Sequence, residues 1–337
     1  MKTTTGFSIV GSMIVALACG VAPERDAPVA RTSSAILYFD PIGIGTLYRD
    51  LVGRGLNGRS WEGQILDGRV VVSVSLRQVV FPHGPPRNLR LEATVFRGAP
   101  GPRGTGLIGA VFQATLDDGT LLPLTVTGVQ ERGDASRPWF AYEVQFLADG
   151  RWQSLCGTSE AGGVLAAIPL NGRWDYREGA PTGGAHLEDP DAFTFACEDR
   201  VLAKCVRMGY APWQQGFLCR IDDRGKKVCQ KTTLAAMHQA CTRALRADYC
   251  GDGVSYTEDG MWTLVRDGIG IRDDTEDWVF EAEWDDHGAR CLAHERMALL
   301  EGIPCGDSLM AADCGDPAHF ETGTLVMTEV PPEAGGE

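Results

Sequence analysis

His238 and Cys241 are the two side chains whose types and spacing most directly suggest catalysis. They lie three residues apart in a segment with helical periodicity, so they share one helix face and can touch. An imidazole beside a thiol can activate it as the nucleophile of a cysteine hydrolase. We favour the alternative for a cysteine-rich chain, in which Cys241 forms a disulfide and His238 fills a contact in the core.

A glycine-rich acidic stretch offers a second kind of chemistry. Residues 248–286 contain 13 Asp and Glu but only two Arg. Asp248, Asp252 and Asp259 flank glycines and hydroxyl side chains there, and calcium takes about six to eight oxygen ligands from such loops. The spacing is not that of an EF-hand, and Asp-Gly pairs are common in plain turns. We therefore favour solvated or turn-forming roles over a calcium site.

Other catalytic patterns are missing from the sequence. It has no G-x-S-x-G and no phosphate-binding G-x-x-x-x-G-K-[ST]. His294-Glu295 is not a zinc-binding H-E-x-x-H because Ala298 stands where the second histidine is required. We predict no cofactor, and we lean towards a protein that is not an enzyme. If the chain is a hydrolase, His238, Asp248 and Asp252 are its best polar candidates.

The cysteines indicate export to an oxidising compartment. The chain has 11 cysteines; setting Cys19 aside leaves an even number that can pair completely. We predict disulfides among Cys156, Cys197, Cys205, Cys219, Cys229, Cys241, Cys250, Cys291, Cys305 and Cys314. Cys219 and Cys229 flank a hairpin-like loop and are expected to pair with each other.

The N-terminus predicts the route of export. Residues 1–18 combine Lys2, a short apolar run and small residues, which is typical of a signal peptide. Ala16-Leu17-Ala18-Cys19 resembles a lipobox, which implies lipidation of Cys19 and a membrane anchor; ordinary cleavage after Ala18 is the alternative. Residues 19–34 read as a flexible tether. We expect an outer-membrane or cell-surface lipoprotein, or else a periplasmic or secreted protein.

The elements that must position these residues fall into two regions. Residues 35–180 show strand periodicity, as in Val70–Leu76 and Phe140–Phe146, and predict an antiparallel β-sandwich or barrel. Residues 181–327 predict a disulfide-rich α+β domain, which makes the whole chain α+β. One helix is expected to follow Pro190, running through Phe193 and Cys197 to Cys205.

A second helix is predicted to begin near Thr232 or Thr233 and to carry His238 and Cys241 on its buried face. With cysteines on the inward faces of both helices, an interhelical disulfide is expected. Residues 328–337 read as an acidic tail.

Arg246-Ala247-Asp248-Tyr249-Cys250-Gly251-Asp252-Gly253 resembles the motif of the ADYC domain, a family of uncharacterised exported bacterial proteins. Other segments resemble the same pattern in the same order: 152–157, 193–197, 204–205, 209–213 and 238–241. Together these segments cover roughly residues 105–295. We call the disulfide-rich region 181–327, which contains the motif, an ADYC-like domain. The resemblance implies an exported, cysteine-rich protein and supplies no catalytic residues.

The net charge of the chain limits the classes of molecule that it can bind. The net charge of −14 argues against nucleic acid, whose phosphates require a basic surface. Our first hypothesis is a lipid-tethered envelope protein that contacts the membrane through its lipid and binds a protein or carbohydrate, or serves a structural role. The alternatives are an exported hydrolase with a site in the ADYC region and a calcium-dependent carbohydrate or protein binder.

Overall fold

The computed structural model describes residues 70–82, 84, 88–99, 106–133, 138–148, 150–158, 162–257, 261–275, 277–297 and 302–332. The first ten strands are β1 Val71–Val80, β2 Arg90–Glu92, β3 Val95–Arg97, β4 Val111–Leu116, β5 Leu121–Arg132, β6 Trp139–Ala148, β7 Arg151–Ser154, β8 Ala167–Asn171, β9 Arg173–Trp174 and β10 His186–Leu187. The others are β11 Ala192–Cys197, β12 Gln215–Ile221, β13 Lys227–Thr233, β14 Leu264–Asp267, β15 Val279–Trp284, β16 Ala289–Leu292 and β17 Val326–Val330. The helices are α1 Val201–Arg207, α2 Ala235–Arg246 and α3 Gly306–Leu309, with a 3-10 helix at Pro317–Glu321.

Several predictions about the N-terminus lie outside these residues. The signal peptide 1–18, the tether 19–34 and the lipid-bearing Cys19 stay predictions. The same is true of the calcium candidate Asp259.

Six antiparallel strands close into a barrel in the order β5, β4, β1, β11, β8, β6, with β6 pairing back onto β5. Of the two predicted architectures, sandwich or barrel, the barrel is therefore the one observed. Closure leaves these six strands without a free edge. The short strand β7 forms a hairpin with the end of β6.

Aromatic side chains fill the barrel. Phe96, Phe112, Tyr142, Phe193 and Phe195 are all buried, and their ring centroids lie 4.7–6.4 Å apart, several of them edge to face. Tyr142 donates a hydrogen bond of 2.8 Å from its hydroxyl to the Thr94 carbonyl, so its polar group is satisfied. The alternating burial of β4 and β6 agrees with the strand periodicity of the sequence.

The prediction of a helix after Pro190 is wrong for the first half of that segment. Residues 192–197 form β11, which lies between β1 and β8 in the barrel, and α1 begins only at Val201. Phe193, Phe195 and Cys197 also have a period of two, and the strand is buried over its whole length. The barrel thus takes strands from both sides of residue 180, and Cys156 on one side is bonded to Cys197 on the other.

A second core lies between the helices and a four-stranded sheet of order β14, β17, β15, β16. The second predicted helix is present as α2, and a buried disulfide from Cys205 to Cys241 joins it to α1. An inner strand of this sheet, β17, runs to Val330, so it extends three residues into the segment predicted as an acidic tail. Its five residues are all buried.

The described residues are mostly β, with three helices of 4 to 12 residues, so the α+β label is not confirmed. All of them fall within one compact unit. Five disulfides cross-link it, including Cys219–Cys229 in the β12–β13 hairpin. None of the helices in the described part of the chain is long and apolar enough to cross a membrane.

Candidate functional site

His238 lies in the core between α1 and α2. Its Nε2 lies 2.9 Å from the Leu202 carbonyl, and the residue is 1% exposed. Burial lowers the pKa of His238 to about 4, so the ring is neutral at pH 7 and donates to that carbonyl. Cys241 is bonded to Cys205. A thiolate–imidazole dyad is therefore not present at these two residues.

Asp248 is fully buried against the end of α2. Its carboxylate pairs with Arg243 and accepts a hydrogen bond of 3.1 Å from the Gly253 amide. Burial raises the pKa of Asp248, and the charges of Arg243 and Arg246 oppose that shift. Asp252 caps the next turn, since its Oδ1 accepts from the Val254 amide at 3.0 Å. Both carboxylates hold the loop after α2 in place.

The other three residues of the Ala-Asp-Tyr-Cys motif also have structural roles. Ala247 ends α2 in the left-handed conformation at φ 48°. Tyr249 stacks on Trp284 with 5.2 Å between ring centroids and donates a hydrogen bond of 2.7 Å to Glu281. Cys250 is bonded to Cys305. The motif therefore connects α2 to β15 and to the segment that contains α3.

Gly251 brings the motif against the turn after β15. It has φ +69°, and a Cβ there would overlap the His287 carbonyl. Only glycine combines this left-handed backbone with so close an approach. The contact places Tyr249 and Cys250 beside residues 285–288.

These elements enclose an open cavity of about 690 Å³. One side is formed by the motif and the β15–β16 hairpin, and the other by residues 305–324, with Cys250–Cys305 and Cys291–Cys314 linking the two. Its lining residues include Tyr249, Glu283, Asp285, His287, Arg290, Ser308, Asp313, His319 and Thr324. Its volume lies within the range of about 300–1,000 Å³ that is usual for ligand sites. None of His238, Asp248 and Asp252 lines it.

One residue of the cavity wall is a buried carboxylate. Glu283 is 2% exposed; its oxygens accept from His319 Nδ1 at 2.7 Å, the Gly315 amide at 2.7 Å and the Thr324 hydroxyl at 2.6 Å. The hydrogen bond to Glu283 raises the pKa of His319, which favours the imidazolium. On its other side, His319 Nε2 lies 3.4 Å from the exposed carboxylate of Asp313.

The turn from Asp285 to Gly288 forms the rim. Asp285 accepts from the His287 amide at 2.8 Å and lies 3.4 Å from Arg290. Side-chain ligand atoms of Asp285, Asp286 and His287 lie within 4.8 Å of one another, so they could hold a metal ion. Ligand atoms of Glu283, Cys291 and Cys314 also lie within 4.8 Å of one another. Cys291 and Cys314 are bonded to each other, however, so neither offers a thiolate to a metal ion.

A carboxylate that orients a histidine also occurs in hydrolases, where the histidine activates a nucleophile. Here the hydroxyls that line the cavity are engaged elsewhere. Ser308 donates to the Cys305 carbonyl at 2.6 Å, Thr322 to the His319 carbonyl at 3.2 Å, Thr324 to Glu283 and Tyr249 to Glu281. The arrangement is suited to holding a ligand by charge and hydrogen bonds. Sequence reasoning missed His319 and Glu283, which are 36 residues apart and belong to no local motif.

Comparison with known proteins gives one result. The ADYC domain model matches residues 104–298, in agreement with the resemblance of the sequence. No curated protein and no solved structure matches the chain. The match includes the motif and the β15–β16 hairpin but not residues 305–324, which form the other side of the cavity. Since the match covers more than half of the sequence, this chain belongs to the ADYC domain family.

Proposed function

We propose that this chain is an exported, lipid-anchored binding protein whose cavity beside the ADYC motif holds a small polar ligand. The observation that carries the proposal is an open cavity whose two sides are joined by disulfides. Such walls are pre-organised, which lowers the entropy lost on binding. Export is supported by the ten cysteines that pair in five disulfides. The lipid on Cys19 rests on the sequence alone.

The charges of the cavity favour a ligand with an amine. Glu283, Asp285 and Asp313 contribute three carboxylates, against Arg290 and His319, whose pKa is raised by its hydrogen bond to Glu283. Glu283 already accepts three hydrogen bonds, whereas the side chain of Asp313 is 73% exposed and, among the residues that the structure describes, pairs only with His319. An exposed carboxylate accepts hydrogen bonds without donating any. A cationic amine is the group that it would hold most strongly.

The hydrolase and calcium hypotheses receive less support. Asp248 is enclosed by Arg243 and the loop after α2, and His238 is neutral and bonded to a backbone carbonyl. Neither side chain is free to activate water or to coordinate an ion without breaking the core. We therefore favour binding over both alternatives.

The binding test uses spermidine and glucosamine as cationic probes and glucose as the uncharged control. We expect both amines to bind the full mature protein in isothermal titration calorimetry, and glucose to give no heat of binding. Replacing Asp313 by Asn should weaken amine binding about tenfold, because a charge-assisted hydrogen bond contributes about 1.5–3 kcal/mol.

The matched control is Asp223→Asn, which makes the same charge change at an exposed hairpin residue outside the cavity. It should leave the affinity unchanged. The proposal fails if neither amine binds at millimolar concentration, or if both variants lose affinity equally.

A further inference from the structure

The β12–β13 hairpin is a basic element in an acidic protein. Residues 215–233 contain five basic and two acidic side chains, a net charge of +3 in a chain whose net charge is −14. Its strands pair in continuous register from Gln215↔Thr233 to Ile221↔Lys227, with Cys219 opposite Cys229. The disulfide between these two cysteines holds the strands together. An isolated two-stranded hairpin is otherwise only marginally stable.

The two strands of this hairpin have different surroundings. β12 lies beside the 3-10 helix, and its Leu218 packs against the second core. In β13, six of seven residues are exposed. Within the part of the chain that the structure describes, β12 is the only strand that pairs with β13. Such an edge presents unpaired N–H and C=O groups that can accept another strand.

Most cations of the hairpin lack an acidic partner. Lys227 pairs with Glu321 at 2.5 Å. Among the described residues, Arg220, Arg224, Lys226 and Lys231 form no ion pair. Strand alternation puts Lys227, Lys231 and Phe217 on one face, since Phe217 lies opposite Lys231 and Lys227 is four residues from Lys231. Phe217 is 62% exposed.

Lysine on an edge strand can serve simply to prevent aggregation. That role does not call for an exposed aromatic side chain on the same face, nor for cations concentrated on one element of an acidic protein. Aromatic side chains are instead enriched in protein interfaces. These features point to a partner with negative charge and extended backbone.

We propose that the free edge of β13 binds an extended acidic segment of a partner protein, which adds to the hairpin as a third strand. Backbone hydrogen bonds to β13 supply affinity, as in other cases of strand addition. An acidic side chain of the added strand lies opposite Lys231 and supplies specificity. A second copy of this chain is a poor partner, because two β13 edges would bring like charges together.

The test is fluorescence anisotropy of a labelled ten-residue peptide of alternating Glu and Thr, titrated with the full mature protein. We expect saturable binding that weakens with added salt. A peptide of alternating Lys and Thr should not bind. The Glu-Thr peptide methylated on alternate backbone nitrogens should also fail, because it cannot complete the ladder. Hydrogen exchange should slow at β13 amides when the unmethylated peptide is bound.

Lys231→Glu should weaken the binding of the peptide about fivefold to tenfold, because it reverses one cross-strand charge pair. The control Arg151→Glu makes the same reversal at an exposed residue of β7 and should change nothing. Equal thermal midpoints would show that both variants are folded. Absence of peptide binding, equal losses in both variants, self-association through the hairpin, or binding only to anionic vesicles would each overturn the proposal.

Discussion

Replacing Asp248 by Asn is expected to lower the free energy of unfolding by about 3–5 kcal/mol. The substitution keeps the shape of the side chain but removes the negative charge between Arg243 and Arg246. Both arginines are at most 2% exposed, so the Arg243 guanidinium would lose inside the core the carboxylate with which it pairs. Removing one partner of a buried pair is costly for this reason, even where the intact pair itself contributes little. Urea denaturation at pH 7 measures the loss.

The control is Asp191→Asn, which breaks the ion pair with Arg77 on the barrel surface. The side chain of Arg77 is 69% exposed and that of Asp191 is 53% exposed, and an exposed pair contributes at most about 1 kcal/mol. If Asp248→Asn were no more destabilising than Asp191→Asn, the motif would not hold the fold as described. A catalytic or ligand-binding role for Asp248 would then have to be considered again.

Removing the Cys250–Cys305 disulfide by replacing both cysteines with Ala is expected to destabilise the protein by about 4 kcal/mol. The bond spans 55 residues of sequence, and closing a loop of that length restricts the unfolded chain strongly. It also links the motif to the far side of the cavity. We therefore expect amine binding to weaken in this variant, because its cavity walls are no longer tied together.

The comparison variant replaces Cys219 and Cys229 by Ala. That bond spans only 10 residues in an exposed hairpin, so its loss should destabilise the protein by less than about 3 kcal/mol and leave amine binding unchanged. Urea denaturation and calorimetry compare the two proteins. A larger loss of stability or affinity in the hairpin variant would contradict the role assigned to Cys250–Cys305.

Local patterns in the sequence predicted much of the fold. The alternation in Val70–Leu76 and Phe140–Phe146 corresponds to β1 and β6, and the helix that carries His238 is present as α2. The hairpin geometry around Cys219 and Cys229 also predicted their pairing. Each of these features depends on residues that are close in sequence.

Predictions from the sequence are wrong where a segment fits both a helical and a strand periodicity, because tertiary contacts then determine its secondary structure. Phe193 and Cys197 fit a period of four with Val201, but they also fit a period of two with Phe195. Closure of the barrel selected the strand, because β11 fills the gap between β1 and β8. A single sequence does not contain that information.

The candidate site could not be predicted for the same reason. Glu283 meets His319 only because residues 305–324 return to the sheet and are tied to it by Cys291–Cys314. The acidic motif is conspicuous in composition, whereas in the structure Asp248 pairs with the buried Arg243.

The measurement that tests the central claim most directly is non-reducing peptide mapping of protein recovered from cell envelopes. We expect the bonds Cys156–Cys197, Cys205–Cys241, Cys219–Cys229, Cys250–Cys305 and Cys291–Cys314, together with a lipid-modified Cys19 at the mature N-terminus. Natively produced protein that keeps residues 1–18 and reacts freely with alkylating agents at Cys250, Cys305, Cys291 and Cys314 would contradict this expectation. The cavity would then lack the covalent walls on which the proposed binding depends.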